Sequence, residues 1–324
     1  MGSNRMRGAV AAVVLAGALS LPASALAVSK PTVTTGRATQ VTTTGAKLNG
    51  SVNPNGAATT YVFQFGTTRL YDHRTGTLSL AKGSKSKHVA VVINSGLAPA
   101  TTYHYRLVAH NPKGFTFGKD RTFKTKPQPL GVSLVATPNP IRQGHSTVLS
   151  GVLSGTGNAN RIVQLQANTW PYTTGFVPTS NNQVTDANGH FAFPILSVAV
   201  NTQYRVLMPA KPKVVSPIVV LGTTVKVTRH ASIRRGARRG RIHFWGHINS
   251  PQGGRIVAVV QKRRNGTWVN LKQKDATPTS KGFERYSLRV RQKHGGTYRI
   301  VAVDATAAHS PSISRKIRLH HLRT

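Results

Sequence analysis

Leu48-Asn49-Gly50-Ser51-Val52 places an apolar residue two positions to either side of a glycine. The same pattern returns as Leu149-Ser150-Gly151-Val152-Leu153 and as Phe244-Trp245-Gly246-His247-Ile248. Each copy is followed by Tyr-Arg-apolar: Tyr105-Arg106-Leu107, Tyr204-Arg205-Val206 and Tyr298-Arg299-Ile300. The gaps from glycine to tyrosine are 55, 53 and 52 residues, and successive glycines lie 101 and 95 residues apart. One such match is cheap. Three in the same order and spacing indicate three related domains.

The segments between these markers read as strands. Tyr61-Val62-Phe63-Gln64-Phe65, Arg161-Ile162-Val163-Gln164-Leu165 and Ile256-Val257-Ala258-Val259-Val260 are β-branched and aromatic runs of strand length. Turn chemistry separates them, at Asn53-Pro54-Asn55-Gly56, Asp186-Ala187-Asn188-Gly189, Asn265-Gly266 and Gly295-Gly296. Beyond the N-terminus no stretch sustains a 3.6-residue apolar period. The pattern predicts an all-β chain of tandem antiparallel sandwiches. At about 100 residues per sandwich, 324 residues admit three. The chain has no cysteine, which excludes disulfide staples, zinc-thiolate sites and thiol catalysis together.

The N-terminus reads as a secretory signal over 1–27. Arg5 and Arg7 precede an apolar run from Gly8 to Leu21, and Ala25-Leu26-Ala27 supplies the small residues of a cleavage site, so Val28 is the expected mature start. The apolar run is short for a membrane span. Domains are expected at 31–126, 131–222 and 225–319, with a basic tail at 320–324. Pro127 and Pro129 mark an extended first linker. Only Gly222-Thr223-Thr224 separates the second and third domains, which predicts a stiff joint.

Leu97-Ala98-Pro99-Ala100-Thr101-Thr102-Tyr103, followed by Tyr105-Arg106-Leu107-Val108-Ala109 and Thr122-Phe123-Lys124-Thr125, resembles the fibronectin type III module of secreted bacterial proteins. The Leu-x-Pro-x-Thr-x-Tyr stretch looks like a tyrosine corner, whose hydroxyl reaches back to the backbone. An early-strand tryptophan found in animal members is missing. The second and third domains resemble bacterial Ig-like repeats; Asp186-Ala187-Asn188-Gly189-His190-Phe191 is similar to a hairpin common in them. The resemblance implies three tandem Ig-like/fibronectin type III-like sandwiches that bind or space, without catalytic residues or a cofactor.

The chemically competent side chains are few and scattered, in keeping with that expectation. The only acids are Asp72, Asp120, Asp186, Asp275, Glu284 and Asp304. Asp275 and Glu284 alone fall in one short region, and Lys281 and Arg285 beside them are expected to hold both ionised, against the split acidities that paired carboxylates need. Asp186-x-Asn188-Gly189 lacks the later ligands of a calcium loop and reads as a turn. No Gly-x-Ser-x-Gly elbow occurs, and Gly155-Thr156-Gly157 lies between strands, not before a helix. His243 and His247, four apart on a strand, are about 13 Å apart and cannot share a metal ion.

Charge is the feature left to explain. The formal net charge is +38, and its distribution is uneven: residues 225–324 hold 23 Lys and Arg against three acids, residues 131–224 only five against one. Clusters stand at Arg234, Arg235, Arg238, Arg239 and Arg241, at Lys262, Arg263 and Arg264, and at Arg285, Arg289 and Arg291. In Arg285-Tyr286-Ser287-Leu288-Arg289-Val290-Arg291 the apolar and basic positions alternate, so a strand would project the arginines in a row about 6.6 Å apart. A solvated, aggregation-resistant edge is the plainer reading of such a strand. Alternation also sets Trp245 on the outer side, where it could stack on a sugar ring or be covered by a loop. Trp170 and Trp268 read as loop-packing or core residues.

The expected function is that of a non-enzymatic protein, secreted and possibly retained on the cell surface. Its basic C-terminal domain would attach to an anionic envelope or matrix polymer: teichoic or acidic polysaccharide, lipid headgroups or extracellular DNA. The alternatives are a carbohydrate-binding accessory to a polysaccharide-degrading enzyme and a non-specific nucleic-acid binder.

Overall fold

In a computed structural model of the chain, residues 27–233, 240–250, 254–292 and 295–320 are described. They form two compact units, one ending at Lys126 and one starting at Pro127.

The first unit is one sandwich. Ala46–Asn53 lies between Thr32–Thr35 and Lys87–Ile93 in one sheet. In the other, Thr59–Gly66 pairs with Thr102–Asn111, with His73–Arg74 and Leu78–Leu80 on one flank and Gly114–Phe117 and Arg121–Lys124 on the other. Alternate residues face inward, so Leu48, Val52, Phe63, Tyr105 and Leu107 are fully buried between the sheets. Tyr103 accepts the Ala98 amide N–H at 2.9 Å, the tyrosine-corner contact expected from the sequence.

The second unit repeats that plan twice. Thr147–Ser154 is flanked by Gly131–Val132 and Val135–Thr137 on one side and His190–Ile195 on the other. Facing it, Ile162–Thr169 lies between Val177–Val184 and Thr202–Met208. In the last sandwich, Arg241–Asn249 lies between His230–Ile233 and Glu284–Arg291. Ile256–Arg264 lies between Thr267–Asp275 and Gly296–Asp304. Each sandwich has its own core, one around Leu149, Leu165 and Phe193, the other around Phe244, Tyr286 and Tyr298. The described residues are thus all-β, three antiparallel sandwiches of one strand order.

The repeated glycine has a steric cause. A Cβ on Gly246 would lie 2.5 Å from the Thr228 carbonyl oxygen and 2.8 Å from the Tyr286 hydroxyl. One on Gly50 would meet the Thr34 carbonyl at 2.8 Å and Leu107 at 2.7 Å, and Gly151 is hemmed by Ser133 and Phe191. In all three sandwiches the first strand's backbone and a core side chain close over this position. Only glycine leaves room there.

Within the second unit the two sandwiches are joined by buried hydrogen bonds. Thr223–Thr224 runs parallel to Ile141–Arg142. Buried Asn201 accepts the Thr223 N–H at 2.8 Å through Oδ1 and donates to the Ala307 carbonyl at 2.8 Å through Nδ2. Its own N–H donates to the Ala308 carbonyl, and the Ser310 N–H to the Thr223 carbonyl. Trp170 Nε1 donates to the Thr306 carbonyl at 2.9 Å, which gives this tryptophan the loop-packing role expected of it.

Candidate functional site: a basic sheet face in the third sandwich

The register between Arg241–Asn249 and Glu284–Arg291 sets Arg241 opposite Arg291, His243 opposite Arg289, Trp245 opposite Ser287 and His247 opposite Arg285. On the next strand His230 lies opposite Trp245 and Ser232 opposite His243. Cross-strand partners share a face. Ile242, Phe244, Ile248, Tyr286, Leu288 and Val290 are buried on the core side, and the four arginines are exposed on the other. Tyr286 donates its buried hydroxyl to the Thr228 carbonyl at 2.7 Å, and burial pushes its pKa well above the usual phenol range.

Trp245 sits half-buried in the middle of the outer face. Its ring stacks on His230 at 5.6 Å between centroids and tilts against His243 at 4.9 Å. The His243 Nε2 and Ser287 Oγ are 2.8 Å apart. The indole is therefore a half-buried outer-face side chain packed between imidazoles.

Among the described residues this face carries no carboxylate. Asp275 is on the opposite sheet and pairs with Arg255 at 3.0 Å. Asp304 is buried against His309 at 2.9 Å. Arginines directly opposite one another repel, and an anion laid across Arg241 and Arg291 would relieve that cost.

Glu284 corrects an expectation. Arg285 and Lys281 do not hold it ionised, because strand alternation turns Glu284 into the core while Arg285 faces water. Burial pushes its carboxyl up to about 7, with the Asp304 charge adding to the effect, and neither carboxylate oxygen has a hydrogen-bond partner. Asp186 by contrast closes a turn: its Oδ1 accepts the Asn188 and His190 N–H groups at 2.8 Å each. Those bonds, the His190 one foremost, hold its carboxyl below the usual range.

The remaining basic candidates do not share one surface. Lys262 is on the core side of its strand, its ammonium 5.5 Å from the Tyr298 ring centre and 3.1 Å from Gln292 Oε1. Desolvation there lowers its pKa. Arg263 pairs with Trp268 on the outer face of the opposite sheet, and Arg264 is exposed at the hairpin beside it. The Lys262, Arg263 and Arg264 cluster of the sequence is thus divided by the strand and belongs to the sheet opposite that of Arg241, Arg285, Arg289 and Arg291. Arg234, Arg235, Arg238 and Arg239 lie outside the described residues, as do residues 1–26 of the signal segment and the tail beyond His320.

Trp268 is neither core nor loop packing. The Arg299 guanidinium lies 4.2 Å over its ring, and Arg299 Nε donates to Gln261 Oε1 at 2.7 Å. The same device stands in the other sandwiches: Arg106 donates to Gln64 and lies over Tyr71 and Phe117, and Arg205 donates to Gln166 and lies over Phe176. It gives the recurrent Tyr-Arg-apolar signature a structural meaning: tyrosine enters the core while arginine braces the outer face. The signal was a glutamine 42, 39 and 38 residues before each arginine.

Strand order and tyrosine corner define the class: tandem fibronectin type III-like and Ig-like β-sandwiches. No protein-family model and no curated protein matches the chain. Among solved structures, the FN1–FN3 domains of chicken CNTN1 match at 14% identity and a TM-score of 0.28, over 90% of this chain and 99% of that one. Bovine butyrophilin matches at 13% identity and a TM-score of 0.34, over 58% of this chain and 98% of its own.

Proposed function

We propose that this is a non-catalytic, exported binding and spacing protein whose third sandwich attaches to an anionic polymer of the cell envelope or matrix. The observation that carries the reading is the convergence of Arg241, Arg285, Arg289 and Arg291 on one carboxylate-free sheet face around Trp245. A flat face with cations on adjacent strands suits repeated phosphates or carboxylates more than a single small anion. Basic residues near an anionic surface contribute about 1 kcal/mol each, so a few suffice for retention. Export rests on Arg5, Arg7 and the apolar run ending at Leu21.

The test is a salt series with the full mature chain against teichoic acid, polygalacturonate, anionic vesicles and duplex DNA. Affinity should fall steeply between about 50 and 200 mM salt as condensed counterions are released. Arg285→Ser, Arg289→Ser and Arg291→Ser together should flatten the slope by up to about three units. Salt-indifferent binding, or a triple variant with unchanged slope, would make the charge a solubility device.

A further inference from the structure

The first sandwich carries a groove of about 380 Å³ on the outer face of its Thr59–Gly66 and Thr102–Asn111 sheet. That size is at the small end for ligand sites. Val62 and Val108, paired across the two strands, form its floor. Phe115 and Phe117 form one wall, Arg74 and Thr77 belong to the other, and Thr60 and Gln64 add polar atoms along the floor.

The aromatic wall is ordered. Phe115 and Phe117 alternate on one short strand, opposite His110 and Val108. Their rings are 6.4 Å apart and within 20° of parallel. Both are more than half exposed, at 58% and 54%. The His110 ring packs 4.1 Å from Phe115, and the Arg106 guanidinium, held by Gln64, lies 4.6 Å over Phe117. Two large apolar rings are thus fixed in parallel and left facing water.

Comparison among the sandwiches separates scaffold from site. The Gln–Arg–aromatic brace occurs in all three and belongs to the common plan. The paired phenylalanines do not: where the first sandwich has Gly114–Phe117, the second has Val214–Val215 and the third Ser312–Ile313. Arg74, on the facing wall, has no carboxylate partner among the described residues.

We infer that this groove is a binding site for an oligosaccharide bearing carboxylated sugar rings. One face of a pyranose is a layer of C–H bonds that packs on an aromatic ring, and its hydroxyls project sideways toward groups such as Thr60, Gln64 and Thr77. The free Arg74 guanidinium matches a sugar carboxylate in charge and in its fork of donors. A peptide strand is the poorer fit. The floor strands already hydrogen-bond each other, so no backbone edge is open for strand addition in the groove. The site is distinct from the basic face of the third sandwich and binds chiefly by stacking.

The test is calorimetric titration of the full mature chain with a galacturonic acid oligomer and with its neutral galactose counterpart, in about 1 M salt. There the Debye length is about 3 Å and field-driven attachment is suppressed. Both sugars should bind, the acidic one more tightly. Phe115→Ala and Phe117→Ala should each weaken both by about tenfold, while Phe115→Tyr retains binding. Arg74→Gln should reduce the acidic sugar to the level of the neutral one. The triple Arg285, Arg289 and Arg291 serine variant should bind as wild type, which separates this site from the polyanion face. Because Phe115 is more than half exposed and outside the Gln–Arg brace, the unfolding midpoint of its variant should stay put. Unchanged binding by the phenylalanine variants overturns the inference, as does tighter binding of a neutral apolar peptide than of either sugar.

Discussion

The first and third sandwiches share strand order, the close-packed glycine and the Gln–Arg–aromatic brace, yet they expose different chemistry on different sheets. The third concentrates exposed arginines around one half-buried tryptophan, on the sheet built from Arg241–Asn249. The first exposes two parallel phenylalanines and, across from them, the Arg74 guanidinium, on the sheet built from Thr59–Gly66. A sheet's outward positions are nearly free of the core's demands, because alternation commits only every second residue to packing. One plan can therefore carry a field-driven surface in one copy and a stacking surface in another.

The largest effect expected is on the field-driven side. Removing Arg285, Arg289 and Arg291 together should lower affinity for an anionic polymer at low salt by roughly a hundredfold, taking about 1 kcal/mol per basic residue. Equilibrium binding at 50 mM salt checks this. A loss of only a few-fold would move the attachment surface to other cations and erase the contrast between the sandwiches.

The shared plan can be attacked at its glycines. Gly50→Ala and Gly246→Ala should each cost about 1–3 kcal/mol or more, since the new methyl meets backbone carbonyl oxygen. Denaturant unfolding measures both. A neutral result at one of them would show that the two sandwiches close over this position differently.

Glu284 sharpens the comparison through pH. Its carboxyl is raised in the folded state, to about 7 from an ordinary 4.5. The folded chain thus holds a proton that the unfolded chain has released between those values. Stability from this group is complete below about 4.5 and is lost as pH rises through about 7. Glu284→Met should abolish that decline and gain about 1–3 kcal/mol above pH 8, where the wild type holds a buried, unpartnered carboxylate. Thermal unfolding across pH 4–9 tests it, and a wild-type profile that rises toward neutral pH would refute it.

The smallest effect belongs to Trp245. Replacement by alanine should cost well under the roughly 3–5 kcal/mol of a core aromatic, because the ring packs on His230 and His243 outside the hydrophobic core. A full core-sized loss would make it a structural residue and leave the basic face without an aromatic centre.

Much of this was legible beforehand, for identifiable reasons. The Leu97 to Tyr103 stretch announced its corner because the tyrosine and its backbone partner are five residues apart, and local geometry suffices. The inward and outward sides of Arg285–Arg291 followed from alternation alone. The place of Lys262 is not legible locally, because a run of three basic residues looks like one cluster, whereas a strand must send its members to opposite faces. Glu284 departs from its expected ionised state because sequence neighbours on a strand point away from each other. Phe115 and Phe117 carry no such local signal: two aromatics on a short strand look like core, and only the neighbouring strand shows that they stand on the outer side.

The sequence by itself determined the number of sandwiches, their strand character and the uneven charge, because repeat spacing, turn residues and composition are properties of the chain. The tertiary structure decided which cations stand together. That depends on the register between strands more than forty residues apart in sequence, which sets Arg241 beside Arg291 and leaves Arg263 on another sheet. It also decided that Glu284 is buried and that two phenylalanines face solvent across from Arg74. Burial and cross-strand company arise only when distant segments pair, and no local pattern records them.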